Sequence, residues 1–99
     1  MVIIAGTIRL DPSNREAAIE ATVEMMDATA KEEGCVSYDF SADFRDPGLF
    51  HLFEEWESEE HLKAHFVVPH MEVFQKKLAV LGPVERNISR YDASGKQPL

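Results

Sequence analysis

A chain of 99 residues, 44% hydrophobic and 28% charged, has apolar material for one hydrophobic core and is too apolar to stay disordered. Its 18 acidic and 10 basic side chains leave a net charge of −8, which repels phosphate backbones and anionic headgroups and argues against nucleic acid and membrane as partners. The lone Cys35 has no partner for an internal disulfide, and the opening MVIIAGTIRL lacks the pattern of a signal peptide, so a reducing, cytoplasmic setting is expected.

Val2 to Leu10 is rich in β-branched residues and predicts a strand, ended by Asp11-Pro12. Ser13 and Glu16 have capping-box spacing, which predicts a helix starting at Ser13. Ile19, Val23, Met26 and Ala30 give that helix an apolar stripe, and Gly34 can close it in the left-handed conformation. Val36, Tyr38, Phe40, Ala42 and Phe44 alternate with polar residues, as in a strand with one apolar face. Asp46-Pro47-Gly48 predicts a turn into a second strand, Phe50 to Trp56. There Phe50, Leu52, Glu54 and Trp56 share one side, and His51, Phe53 and Glu55 the other.

Ser58 can cap a short helix with Leu62 and Phe66 buried, which Pro69 interrupts. Met71, Phe74, Leu78 and Leu81 form the stripe of a second helix, stopped by Gly82-Pro83. Val84 to Tyr91 reads as a final strand. The order of strand, helix, strand, strand, broken helix, strand is the split β-α-β pattern of an α+β, ferredoxin-like domain, expected over residues 1–92 with a polar tail at 93–99. Apolar residues occupy both parities of some strands: Ile3 and Ile4, Leu52 and Phe53. This predicts that the sheet face away from the helices is covered by the same face of a second copy, making a homodimer.

Several residues are candidates for chemistry. His65 and His70 bracket the helix interruption FVVP, where either ring can turn toward a cavity and act as a general base, or hydrogen-bond the broken turn. Glu54 is a carboxylate on an apolar strand face, so it should be paired, protonated or at a cavity mouth; it can orient a histidine or hold a helix end. Trp56, Phe40, Phe53, Phe66 and Phe74 supply aromatic surface for a flat ligand or for the core. His61 and His65, four apart, are two potential metal ligands without a third, so no metal site is expected. Cys35 reads as a small buried hydrophobe, and Glu55, Glu57, Glu59 and Glu60 as a solvated acidic rim. With no phosphate-loop glycines and no GxGxxG, a nucleotide cofactor is unsupported.

The segments EEGCVSYDF at 32–40, FHLFEEW at 50–56 and HLKAHFVVPHMEVF at 61–74 together resemble the antibiotic biosynthesis monooxygenase (ABM) family of small dimeric α+β barrel proteins, over roughly residues 2–91. The resemblance implies that Glu54, Trp56, His65, Pro69-His70, Cys35 and Tyr38 line or support a pocket. Thr7 stands where haem-degrading members carry asparagine, which argues against haem breakdown. What it implies is a monooxygenase without metal, flavin or other cofactor, oxidising a small aromatic quinol or polyphenol with dioxygen. His65 or His70 would be the base, Glu54 its orienter, and Trp56, Tyr38, Phe40, Phe53, Phe66 and Phe74 the substrate walls. The alternatives are an isomerase of a small hydroxyketone, with or without a phosphate for which Arg9, Arg86 or Lys63 would be the cation, and a non-catalytic binder of small aromatics.

Overall fold

The computed structural model describes residues 1–82 and 85–99. Four strands, β1 (Val2–Arg9), β2 (Cys35–Ala42), β3 (Leu49–Trp56) and β4 (Glu85–Asp92), form one antiparallel sheet in the order β2-β3-β1-β4. Helices α1 (Arg15–Thr29), α2 (Glu59–His65) and α3 (Pro69–Leu81) cover one face. This is the expected ferredoxin-like α+β fold. The stop at Pro83 and the strand start at Val84 fall on residues outside those described. Among the described residues no helix is long and apolar enough to cross a membrane.

Strand alternation sets the core. Phe50, Leu52, Glu54 and Trp56 of β3 are all buried beneath the helices. Across the ladder stand Ile8, Gly6, Ile4 and Val2 of β1. In β2 the register slips between Cys35 and Ser37, so Val36 is an extra residue, exposed at the bulge, and Tyr38 comes to stand opposite Glu54. Phe44 lies beyond the strand and is fully exposed, against the expected alternation. The Asp46-Pro47-Gly48 turn is held by its own side chains: the Gly48 amide donates to Asp46 Oδ1 at 3.0 Å.

The helices correct the expected start of α1 and two expected buried faces. Asp11, not Ser13, is the first cap: its carboxylate accepts from the Ser13 amide at 2.9 Å and opens a short 3₁₀ turn, Pro12–Asn14, before α1. The buried side of α1 is Ala18, Ala21, Thr22, Met25 and Thr29. Ile19 and Met26 only flank the core, and Val23 and Ala30 are exposed. Small side chains let the helix lie close to its neighbours, and the bulkier residues sit at the rim of the contact. Ser58 caps α2 as expected, accepting from the His61 amide. Leu62 is buried there, but its buried companion is His65, whereas Phe66 is exposed. In α3, Phe74 and Leu78 are buried, with Met71 and Leu81 packed beside them, and Gly82 caps the end with φ 65°.

Two features lie away from the helices. Register places Ile3, Ala5, Phe53 and Tyr91 on the open sheet face, with Ala5 beside Phe53 and Ile3 beside Tyr91. Phe53 is 40% and Tyr91 55% exposed. Glu55, expected in a solvated rim, is buried on this face, and Lys96 of the tail donates to it at 2.9 Å. The tail is also anchored at its start, where the Ala93 amide donates to the Met1 carbonyl.

Candidate active site

Between the sheet and the α2–α3 break lies a cavity of about 290 Å³. Tyr38, Phe40, Glu54, His65, Phe66 and Phe74 all line it. Ile4, Ile8 and Ile88 extend the apolar wall, and Arg86 and Arg90 of the edge strand β4 stand on its far side. Arg90 is held by Glu59 and Asp92. The sequence brings these residues together because β2, β3 and β1 present alternate side chains to one face, while the pause before Pro69 brings the end of α2 over them.

His65 is the centre of the arrangement. Its side chain is 1% exposed, and its ring packs against Trp56 at a centroid distance of 4.7 Å and against Tyr38 at 5.3 Å. Its Nδ1 lies 2.9 Å from Glu32 Oε2. The same oxygen lies 2.6 Å from Nε2 of His70. An ionised carboxylate only accepts, so it fixes the proton of the neutral imidazole on Nδ1 and leaves Nε2 as a lone pair. That Nε2 is buried and has no hydrogen-bond partner among the described residues. Burial pushes the His65 pKa down, with the bond and charge of Glu32 pulling against it. The ring is therefore a neutral acceptor near pH 7.

Glu54 is a different kind of carboxyl. It is buried and accepts a hydrogen bond from Trp56 Nε1 at 2.9 Å. Burial raises its pKa to about 7; the Trp56 bond opposes the rise and the charge of Glu32 adds to it. Burial, then the charges of Glu54 and Glu32, also pushes the Tyr38 phenol far up, so it stays protonated. The cavity wall thus carries an acceptor imidazole, a carboxyl that changes charge near neutrality and a fixed phenol.

The geometry departs from the expected roles. Glu54 is held by Trp56 and not by a histidine; the carboxylate that orients the histidines is Glu32. Sequence reasoning missed Glu32 because it sits in an aperiodic turn after α1, where the Glu32 amide donates to the Thr29 carbonyl and the Cys35 amide to the Glu32 carbonyl. The one signal for it was the segment EEGC itself. Gly34, at φ 80°, takes the left-handed conformation, but several residues after α1 has ended. Trp56 is fully buried behind the wall and does not line the cavity, and Phe53 lies on the opposite sheet face. His70 lies outside the cavity, beside a small hollow against α1. His61 is tied to its own cap, with Nδ1 2.7 Å from Ser58 Oγ. Of the three candidate cations, Arg9 pairs with Asp46 and Lys63 is exposed; Arg86 alone faces the cavity.

The family model of the antibiotic biosynthesis monooxygenases matches residues 1–77. The chain belongs to the antibiotic biosynthesis monooxygenase family. Among ABM relatives, the "Probable quinol monooxygenase YgiN" of Escherichia coli K12 is 33% identical over 89% of this chain and 93% of its own length. The uncharacterized protein sll1783 of Synechocystis is 29% identical over 99% of this chain and 67% of its own. A Deinococcus radiodurans structure assigned to the ABM proteins superposes with a TM-score of 0.91 at 26% identity, covering 100% of this chain and 98% of that one. Rv0793 of Mycobacterium tuberculosis shares the fold, with a TM-score of 0.86 at 24% identity and 98% coverage of both chains. The ABM match contains all of the catalytic candidates, while β4, with Arg86 and Arg90, lies beyond it.

Proposed function

We propose that this chain is a cofactor-independent monooxygenase that oxidises a small aromatic quinol with dioxygen. The observation that carries this reading is His65: a buried imidazole on the wall of an aromatic cavity, its Nδ1 on Glu32 and its Nε2 unpartnered. The name of the Escherichia coli relative supports the substrate class. His65 Nε2 takes a proton from one phenolic hydroxyl, and the resulting phenolate is a strong enough reductant to pass electrons to dioxygen. One oxygen atom enters the ring and the other leaves as water. The electrons come from the quinol, which ends as a hydroxyquinone. Phe40, Phe66 and Phe74 flank the ring, Tyr38 donates a hydrogen bond, and Glu54 receives the second hydroxyl. Metal-free protein given a panel of quinols in an oxygen electrode is expected to consume oxygen in proportion to substrate. A rate no higher than that of buffer across the panel would sink the proposal.

A second reading rests on Arg86 and Arg90, which line the cavity in an otherwise acidic chain. They suit an anionic group on the ligand, as in a phosphorylated hydroxyketone undergoing isomerisation. Turnover of such a compound under nitrogen favours that reading over the oxygenase.

The active unit of the proposal is a homodimer closed through the open sheet face. Ile3, Ala5, Phe53 and Tyr91 form its apolar centre, a surface of the kind that marks an interface. Light scattering is expected to give twice the chain mass, and Phe53→Glu is expected to give monomers. A wild-type monomer at micromolar concentration would count against this face as an interface.

A further inference from the structure

Glu32, His65 and His70 do more than fix a tautomer. They come from three segments: the turn after α1, the end of α2 and the first turn of α3. Their ligand atoms, a carboxylate oxygen and two imidazole nitrogens, all lie within 4.8 Å of one another. A tetrahedral zinc ion with bonds of about 2.0–2.2 Å needs donors roughly 3.3–3.6 Å apart. The two nitrogen–oxygen separations, 2.9 and 2.6 Å, must spread by about half an ångström or more to admit an ion, while the two nitrogens already lie within 4.8 Å of each other. Two imidazoles and one carboxylate suit zinc and its first-row neighbours, and suit magnesium or calcium poorly. Access is from the outer side: His70 is 30% and Glu32 11% exposed, against 1% for His65.

We propose that Glu32, His65 and His70 form a three-ligand site for a divalent transition-metal ion, and that occupancy turns His65 from a base into a donor. The ion displaces the protons that the two rings share with Glu32 and leaves its fourth position to water. A neutral imidazole bound through Nδ1 carries its proton on Nε2. The nitrogen that accepts in the metal-free protein then donates, and the cavity loses its base. Binding is a property of the three ligands alone; the switching half rests on the oxygenase reading above.

The test begins with metal-free protein titrated with zinc sulfate in a calorimeter and with cobalt chloride in a spectrophotometer. One ion per chain at micromolar affinity is expected, with the visible bands of four-coordinate cobalt. His70→Asn, at the exposed end of the site, and Glu32→Gln should each weaken zinc by about 30-fold or more, with circular dichroism confirming the fold. His51→Gln is the control, because His51 and Asp43 form a separate histidine–carboxylate pair at 2.9 Å. Absence of binding below millimolar zinc overturns the site. So does binding that survives His70→Asn, or that is lost in His51→Gln. With a turning-over quinol, zinc should inhibit with the midpoint of the binding curve. Full occupancy without inhibition overturns the switch and leaves the site standing. If no quinol is oxidised, the oxygenase reading fails while the calorimetric result still decides the metal site.

Discussion

His65→Gln is expected to lower kcat for the proposed quinol oxidation by about 10²–10⁴-fold, the range ascribed to a positioned general base, with KM changed far less. Glutamine can still donate to Glu32 but offers no basic nitrogen to the cavity. Glu32→Gln should be nearly as damaging, since an amide can donate to Nδ1 and stabilise the wrong tautomer. His70→Asn leaves the Glu32–His65 contact in place, so its loss of kcat should be much the smallest of the three. Oxygen uptake under saturating quinol, with thermal melts to confirm folding, measures all three. A His65→Gln enzyme within threefold of wild type would remove His65 as the base. Equal losses for His65→Gln and His70→Asn would mean that the two rings act as one unit.

Glu54→Gln is expected to stabilise the protein at pH 8 and to leave stability near pH 4 unchanged. In the unfolded chain this carboxyl titrates at 4.5, and burial in the native state raises it to about 7. Between those values the native state holds a proton that the unfolded state has released, so stability falls as pH rises through the interval and is level above it. At about 1.4 kcal/mol for each pH unit, the interval corresponds to roughly 3 kcal/mol. For a domain of this size that is a rise in Tm on the order of 10 °C. Glutamine keeps an acceptor for Trp56 Nε1 and cannot ionise. Melts of both proteins across pH 4 to 8 make the comparison. Curves that run parallel over the whole range would show that Glu54 ionises as freely in the fold as out of it.

The parts of this molecule that were legible in the sequence are those where one physical signal dominated. Alternation in β3 gave the buried side of the strand, including the anomalous Glu54. Ser58 announced α2, and the stripe Met71, Phe74, Leu78 and Leu81 gave the packed side of α3. In α1 the signal misled, because Ile19 and Val23 weigh more in any apolar count than Ala18, Ala21 and Thr22, yet close approach to the core selects small residues. Phe66 misled for a related reason: it follows α2 and lines the open side of the cavity instead of the core. Most of the candidate cavity wall was legible as aromatic positions on strands and helices. Glu32 was not, because a turn has no period and its importance lies in contacts 33 and 38 residues away.

The extra residue at Val36 reconciles two demands that a regular strand could not meet together. Downstream, Tyr38 and Phe40 must point toward the helices; upstream, Glu32 must reach His65 and His70. Removing one residue would either turn the aromatic wall out into water or pull the upstream turn along by about 3.3 Å, the advance of one strand position. The second outcome exceeds what any hydrogen bond tolerates. One residue of slack is what lets sheet phase and acid–base alignment be correct in the same chain.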